Sequence, residues 1–236
     1  TDQTGGPVNI DVTVSDGMAS NSADFDVTVS TVDDPPTITT IEDQTIPEDG
    51  ATSALDFTIG DPDGLGGVTV TASSSNVTLI PNANIVLAGT GVNRTVTVTP
   101  AANLSGGPVT ITIEVDDGAT AVQTTFEVTV TAVNDAPTLV GPGNQNIMES
   151  TSTGALAVTV ADIDTGLGSL VLSGTSDNQT LIPNANITTG GSGANRTVTV
   201  TPAAGLSGGP VTITLTVGDG TASNITTFTV TVGAIN

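Results

Sequence analysis

The chain has no cysteine, histidine, tryptophan, tyrosine or lysine, and Arg94 and Arg196 are its only basic residues. Each gap closes a class of function. Without cysteine there is no disulfide framework and no thiolate metal centre. Without histidine, lysine, cysteine or tyrosine, a serine hydroxyl has no base to activate it. Only a carboxylate pair of the glycosidase kind is then left for catalysis. A glycan site would lack the aromatic platforms that give it contact area, which leaves calcium bridging a sugar as the one form open to such a module. Two arginines against 24 acids exclude nucleic acid and anionic membrane as partners, since both need a basic footprint. Long apolar runs are absent too. Apolar residues alternate with Thr, so nothing reads as a signal peptide or as insertion into a membrane.

What is present is repetition. Residues 93–102 (NRTVTVTPAA) return unchanged at 195–204, 79–85 (LIPNANI) at 181–187, and 104–112 (LSGGPVTIT) at 206–214. The offset is 101 residues early in the repeat and 102 later, which puts a one-residue insertion near Gly166. That period is a whole domain rather than a solenoid turn of roughly 20–50 residues. Gly5-Gly6-Pro7-Val8 aligns with 106–109 and 208–211, so Thr1 enters where Ala102 stands. The expected organisation is the C-terminal part of a truncated repeat at 1–34, then complete repeats at 35–135 and 136–236. Both ends read as cuts through a longer array. Copying a domain end to end builds length, which suits a scaffold better than a catalyst.

The strand signal is strong. Val109, Ile111, Ile113 and Val115 alternate with Thr110, Thr112 and Glu114, while Phe126, Val128 and Val130 alternate with Glu127 and Thr129. A period of two rich in Val, Ile and Thr puts one face in a core and the other in water. Gly, Pro, Asn and Asp clusters punctuate it every 8–12 residues, the rhythm of a sandwich. The expected fold is all-β: tandem seven-stranded Greek-key sandwiches of cadherin or immunoglobulin-like type, strung into an extended rod. In residues 35–135 the strands are expected near 37–46, 54–60, 67–73, 77–87, 94–99, 108–116 and 122–133. Phe25, Phe126 and Phe228 hold one repeat position, a core anchor on the last strand.

Alternating strand direction sorts the loops to two poles. The acids divide into 19 Asp and 5 Glu, and Asp is favoured in turns and in loops that hold hard cations. Asp61-Pro62-Asp63 and Asp117 fall at the entry pole of the second repeat, beside Asp2, Asp33 and Asp34. Asp162, Asp164 and Asp219 fall at the entry pole of the third, where Glu48, Asn134 and Asp135 are expected to join them. A formal charge of −22 resists compaction unless something neutralises it. Carboxylates packed together repel, and a divalent cation with 6–8 oxygen ligands removes that cost, calcium being the usual one outside cells. The plainer reading of Asp16-Gly17, Asp117-Gly118 and Asp219-Gly220, taken singly, is a turn. Arg94 and Arg196, beside the acidic poles, are expected to form structural ion pairs.

Several of these residues resemble the motifs of a family. Asp33-Asp34-Pro35-Pro36 and Asn134-Asp135-Ala136-Pro137 are similar to the inter-repeat linker of cadherin-like repeats in large bacterial surface proteins. Ile46-Pro47-Glu48 resembles the cadherin Pro-Glu motif, Asp61-x-Asp63 and Asp162-x-Asp164 resemble its Asp-x-Asp, and Asp117 and Asp219 match the acid after the sixth strand. The resemblance implies calcium at each junction, rigidifying a secreted rod used in cell-surface adhesion. Its partners would be the adjacent repeats of the same polypeptide, other copies, or cell-surface and matrix components. Two departures stand out. Pro100-Ala101-Ala102-Asn103 replaces an acidic loop of animal cadherins, and Met148-Glu149 stands where the second repeat has Pro47-Glu48. A subunit of a self-assembled filament or sheath, and a calcium-dependent glycan-binding module, are the alternative readings.

Overall fold

The computed structural model describes residues 4–30 and 32–235. By its contacts the chain divides into two compact units, 1–132 and 133–236. The first opens with a hairpin, β1 (Gly5–Ser15) and β2 (Ser20–Val29), paired with each other in a two-stranded sheet.

The rest of that unit is a sandwich of β3 (Thr37–Ile38), β4 (Gln44–Pro47), β5 (Leu55–Gly60), β6 (Thr69–Ser74), β7 (Ile85–Thr90), β8 (Asn93–Val98), β9 (Gly106–Asp116) and β10 (Ala121–Thr131). One sheet runs β3-β5-β8-β7 and the other β4-β10-β9-β6. That is the strand order of an immunoglobulin-like sandwich. The alternation read in the sequence is the alternation observed. Val109, Ile111, Ile113 and Val115 on β9, with Phe126, Val128 and Val130 on β10, are buried against Phe57, Ile59, Val96 and Val98 of the opposite sheet. Each such side chain contributes roughly 1.5–3 kcal/mol by leaving water.

Two expected strands differ in the structure. The single strand at 37–46 is split. β3 pairs antiparallel with β5, then the chain crosses over and β4 pairs parallel with β10. Ile41 plugs the crossing, and Asp43 Oδ1 accepts the Glu127 N–H at 2.7 Å. One segment thereby closes both sheets. The strand expected at 77–87 begins only at Ile85. Asn76 Oδ1 accepts the N–H groups of Thr78 and Leu79, Asn82 Oδ1 accepts that of Ser74, and Pro81 leads into a short 3₁₀ turn. Leu79 and Ile80 therefore enter the core from a turn.

The second unit repeats the plan. Its strands are β11 (Thr138–Val140), β12 (Gln145–Met148), β13 (Leu156–Ala161), β14 (Val171–Ser176), β15 (Ile187–Ser192), β16 (Asn195–Val200), β17 (Gly208–Gly218) and β18 (Ser223–Gly233). The sheets are β11-β13-β16-β15 and β12-β18-β17-β14. Its core gathers Val158, Val160, Val198, Val200, Val211, Ile213, Leu215, Val217, Phe228 and Val230. All three long hairpins break register at the same glycine pair. Gly107 there has φ +113°, and a Cβ would stand 2.9 Å from the Val128 carbonyl oxygen.

Candidate metal centre at the strand-entry poles

In the first sandwich β5 ends at Gly60 and β9 at Asp116, beside the start of β3. The two loops that follow carry the acids. Asp61 Oδ1 accepts the Asp63 N–H at 2.8 Å, which folds the loop back on itself. Asp63 Oδ2 then accepts the N–H of Asp34, in the segment leading to β3, at 2.8 Å. Asp117 Oδ1 accepts the N–H groups of Ala119 and Thr120, both at 2.7 Å, and its Oδ2 accepts the Thr120 hydroxyl. Asp33 lies among them. Loss of water around its carboxyl, then repulsion from Asp117, Asp63, Asp61 and Asp34, raises its pKa. Asp117 moves the other way, lowered by the backbone N–H groups of Thr120 and Ala119. Opposed shifts in one cluster mean that its negative charge is crowded at Asp33 and hydrogen-bonded at Asp117.

The pole of the second sandwich has the same framework with one substitution. Asp162 Oδ1 accepts the N–H groups of Asp164 and Thr165 at 2.9 and 2.7 Å, and Asp164 Oδ2 accepts that of Asp135 at 2.7 Å. Asp219 Oδ1 accepts from the Thr221 and Ala222 N–H groups at 2.6 and 2.7 Å. Where the first pole has Asp33, this one has Asn134, whose amide donates to Asp219 Oδ2 at 2.9 Å. The Ala222 N–H, then Asn134, then the Thr221 N–H hold the Asp219 carboxyl below its ordinary pKa. Asp162 Oδ2 is buried and has no hydrogen-bond partner.

The structure thus brings Asp33, Asp34, Asp61, Asp63 and Asp117 to one pole, and Asn134, Asp135, Asp162, Asp164 and Asp219 to the other. Glu48 is buried in the first unit where β10 ends, and its N–H donates to the Thr131 carbonyl at 2.9 Å. Asp2 lies outside the described residues. The donor set is oxygen only, which suits a hard cation, and the unpartnered Asp162 oxygen is the kind of group that such an ion satisfies. Among the described residues no group of three or more acids is arranged to hold a metal ion as it stands. Many of the carboxylate oxygens are committed to N–H groups of their own loops.

The arginines depart from expectation. Arg94 donates to the carbonyls of Gly91 and Gly89, and Arg196 to those of Gly193, Leu167 and Leu170. They brace loops through backbone carbonyls, where ion pairs were expected. Glu149 was passed over as a site residue because Met148 breaks the Pro-Glu pattern. Its Oε1 accepts the Ile235 N–H at 2.8 Å, and its own N–H donates to the Gly233 carbonyl. It ties down the segment leaving β18, and its 101-residue offset from Glu48 is the signal that would have found it.

No known family model matches the sequence, and no curated protein matches it. Among solved structures the chain is similar to the human desmocollin-1 ectodomain, at 13% identity over 96% of this chain and 46% of that one, with a TM-score of 0.48. It is similar to titin domains Z1Z2 solved in complex with telethonin, at 13% identity over 87% and 100%, with a TM-score of 0.38. It is also similar to an endo-fucoidan hydrolase of glycoside hydrolase family 107, at 15% identity over 98% and 34%, with a TM-score of 0.37.

Proposed function

We propose that this chain is a run of cadherin-like repeats braced by calcium, serving as a structural rod or stalk in adhesion at the cell surface. It is extracellular and non-catalytic in this reading, and its first partners are neighbouring repeats. The observation that supports it best is a recurrence. In both complete sandwiches the residue leading into the first strand, Asp34 or Asp135, is clasped through its N–H by the second acid of an Asp-x-Asp loop, at 2.8 and 2.7 Å. A further acid from the turn after β9 or β17, Asp117 or Asp219, lies at the same pole each time.

The residues that would hold the ion are Asp33, Asp34, Asp61, Asp63 and Asp117 at one pole. At the other they are Asn134, Asp135, Asp162, Asp164 and Asp219. Bound calcium would supply the positive charge that neutralises these carboxylates, which would supply its oxygen ligands. The chain's own work is to hold the entering segment against the loops, and the two clasps already do so. Affinity is expected in the range of extracellular modules, about 10⁻⁴–10⁻³ M.

Calcium binding only to the folded state adds stability by mass action. Chelation should therefore lower the melting temperature, and small-angle scattering should change from an extended rod to a flexible chain. Asp162→Asn, which keeps an acceptor oxygen for the Asp164 and Thr165 N–H groups, should remove most of the calcium response of the second sandwich while leaving its melting in chelator near the parent value. Identical melting and scattering with calcium and with chelator would sink the reading.

A further inference from the structure

The hairpin β1–β2 carries an inference that does not rest on calcium. One of its faces presents Val8, Ile10, Val12 and Val14 beside Phe25, Val27 and Val29. The other presents Asn9, Asp11 and Thr13 beside Asp24 and Asp26, with the Asn9 amide donating to both of those acids at 2.8 and 3.1 Å. Every residue of both strands is exposed, Phe25 to 54%. All seven of these large apolar side chains are exposed on one ribbon, and a contiguous apolar patch of this kind marks an interaction surface. A two-stranded hairpin is also marginal by itself in water.

What fits this face is visible twice elsewhere in the molecule. β1–β2 pairs Val8 with Val27, Ile10 with Phe25 and Gly5 with Val29. β9–β10 pairs Val109 with Val128, Ile111 with Phe126 and Gly106 with Val130. Every position corresponds at an offset of 101, the register break included. On β9–β10 the apolar face is covered by Phe57, Ile59, Val96 and Val98. β6 lies antiparallel along the edge of β9 and β4 parallel along that of β10. The same recognition surface calls for the same cover.

We propose that the apolar face of β1–β2 is a docking surface for the first six strands of a repeat of this same type, the counterparts of β3 to β8. They would lay a sheet like β3-β5-β8-β7 over Phe25, run one strand antiparallel along β1, and run a short strand parallel to β2 at Val27 to Val29. A second copy of residues 35–236 cannot supply this, because both of its sandwiches are filled by their own hairpins. Two hairpins pressed face to face would cover Phe25 but leave both outer strand edges, with their N–H and carbonyl groups, unpaired.

The test places residues 35–101 directly ahead of Thr1 in the otherwise intact chain, so that Thr1 takes the place of Ala102. Hydrogen exchange is followed in chelator, which separates the result from the calcium reading. Expected are a slowing of the β1–β2 amides by at least about a hundredfold over the unextended chain and one additional cooperative unfolding transition. Phe25→Asp in the extended chain should abolish both and leave the two complete sandwiches as they were. Equal exchange in extended and unextended chains overturns the proposal. So does concentration-dependent protection of the hairpin in the unextended chain, which would make a second copy the occupant.

Discussion

Phe25 and Phe126 stand at the same place in two hairpins of identical register, opposite Ile10 and Ile111, yet one is 54% exposed and the other 2%. Both ribbons have the same bulge, the same apolar stripe and the same Asp-Gly turn. Strand pairing and turn geometry are therefore written locally in the ribbon, whereas burial is supplied by the sheet that faces it. A hairpin without a facing sheet shows what local sequence specifies, and β9–β10 and β17–β18 show what tertiary packing adds.

Truncating the phenylalanines should separate these contributions most widely. Phe126→Ala and Phe228→Ala each leave a cavity in a closed core and should cost about 3–5 kcal/mol, a large share of a domain's usual stability of 5–15 kcal/mol. By calorimetry each should lower the transition of its own sandwich and spare the other. Phe25→Ala should move neither transition by more than about 0.5 kcal/mol. A large loss from Phe25→Ala would show that something in this chain already buries that ring.

A smaller effect is expected at the shared bulge. At Gly107 a Cβ would stand 2.9 Å from the Val128 carbonyl oxygen, in backbone at φ +113°. Gly107→Ala should therefore cost more than about 1 kcal/mol, read as a shift in urea midpoint for the first sandwich alone. Gly6→Ala meets Val27 O at 2.7 Å but should leave both sandwich midpoints unchanged.

The smallest contrast lies in the turns. Asp16, Asp117 and Asp219 each accept the same pair of turn N–H groups, and each is held below the ordinary aspartate value of 3.8, mainly by those bonds. A depressed carboxyl pKa contributes stability that is present above the ordinary value and lost as pH falls through the folded-state value. Asp219→Asn keeps an acceptor oxygen and removes the titration. The second sandwich should then lose melting temperature less steeply as pH falls below about 4 than in the parent chain. An unchanged slope would mean that other acids carry the acid sensitivity.

Much of this was legible in the sequence, and the rest fails for identifiable reasons. The long strands could be read because one face of each is buried and the period is strict. The poles followed from alternating strand direction, which is why Asp34 and Asp63, and Asp135 and Asp164, could be assigned to common poles from sequence, though not the N–H clasps between them. The split of the first strand could not be read, because a change of sheet leaves the alternation of Ile38 and Ile46 undisturbed. Leu79 and Ile80 mimic a strand, but Asn76 and Asn82 turn the chain around them through side-chain bonds that no apolar pattern records. The arginine contacts were missed because their acceptors are carbonyls, which every residue possesses. Strand-flanking acceptors were missed likewise: Asp43 and Asn144 occupy one repeat position and each takes a strand N–H, at 2.7 and 2.9 Å.

The crossover that splits the first strand has a mechanical consequence. In the first sandwich β3 enters along β5, and behind it β4 lies parallel to β10, the strand that leaves, so pulling on the two ends loads neighbouring parallel strands, Gln44 to Pro47 against Val128 to Thr131. The force then points along the strands, in opposite directions, so their hydrogen bonds are sheared together instead of being peeled open one at a time. β12 and β18 repeat the arrangement at Gln145 to Met148 and Val230 to Gly233. Tension drawn through either sandwich meets this short clamp before it reaches the core, so resistance to stretching is set by these few bonds, apart from the equilibrium stability of the domain.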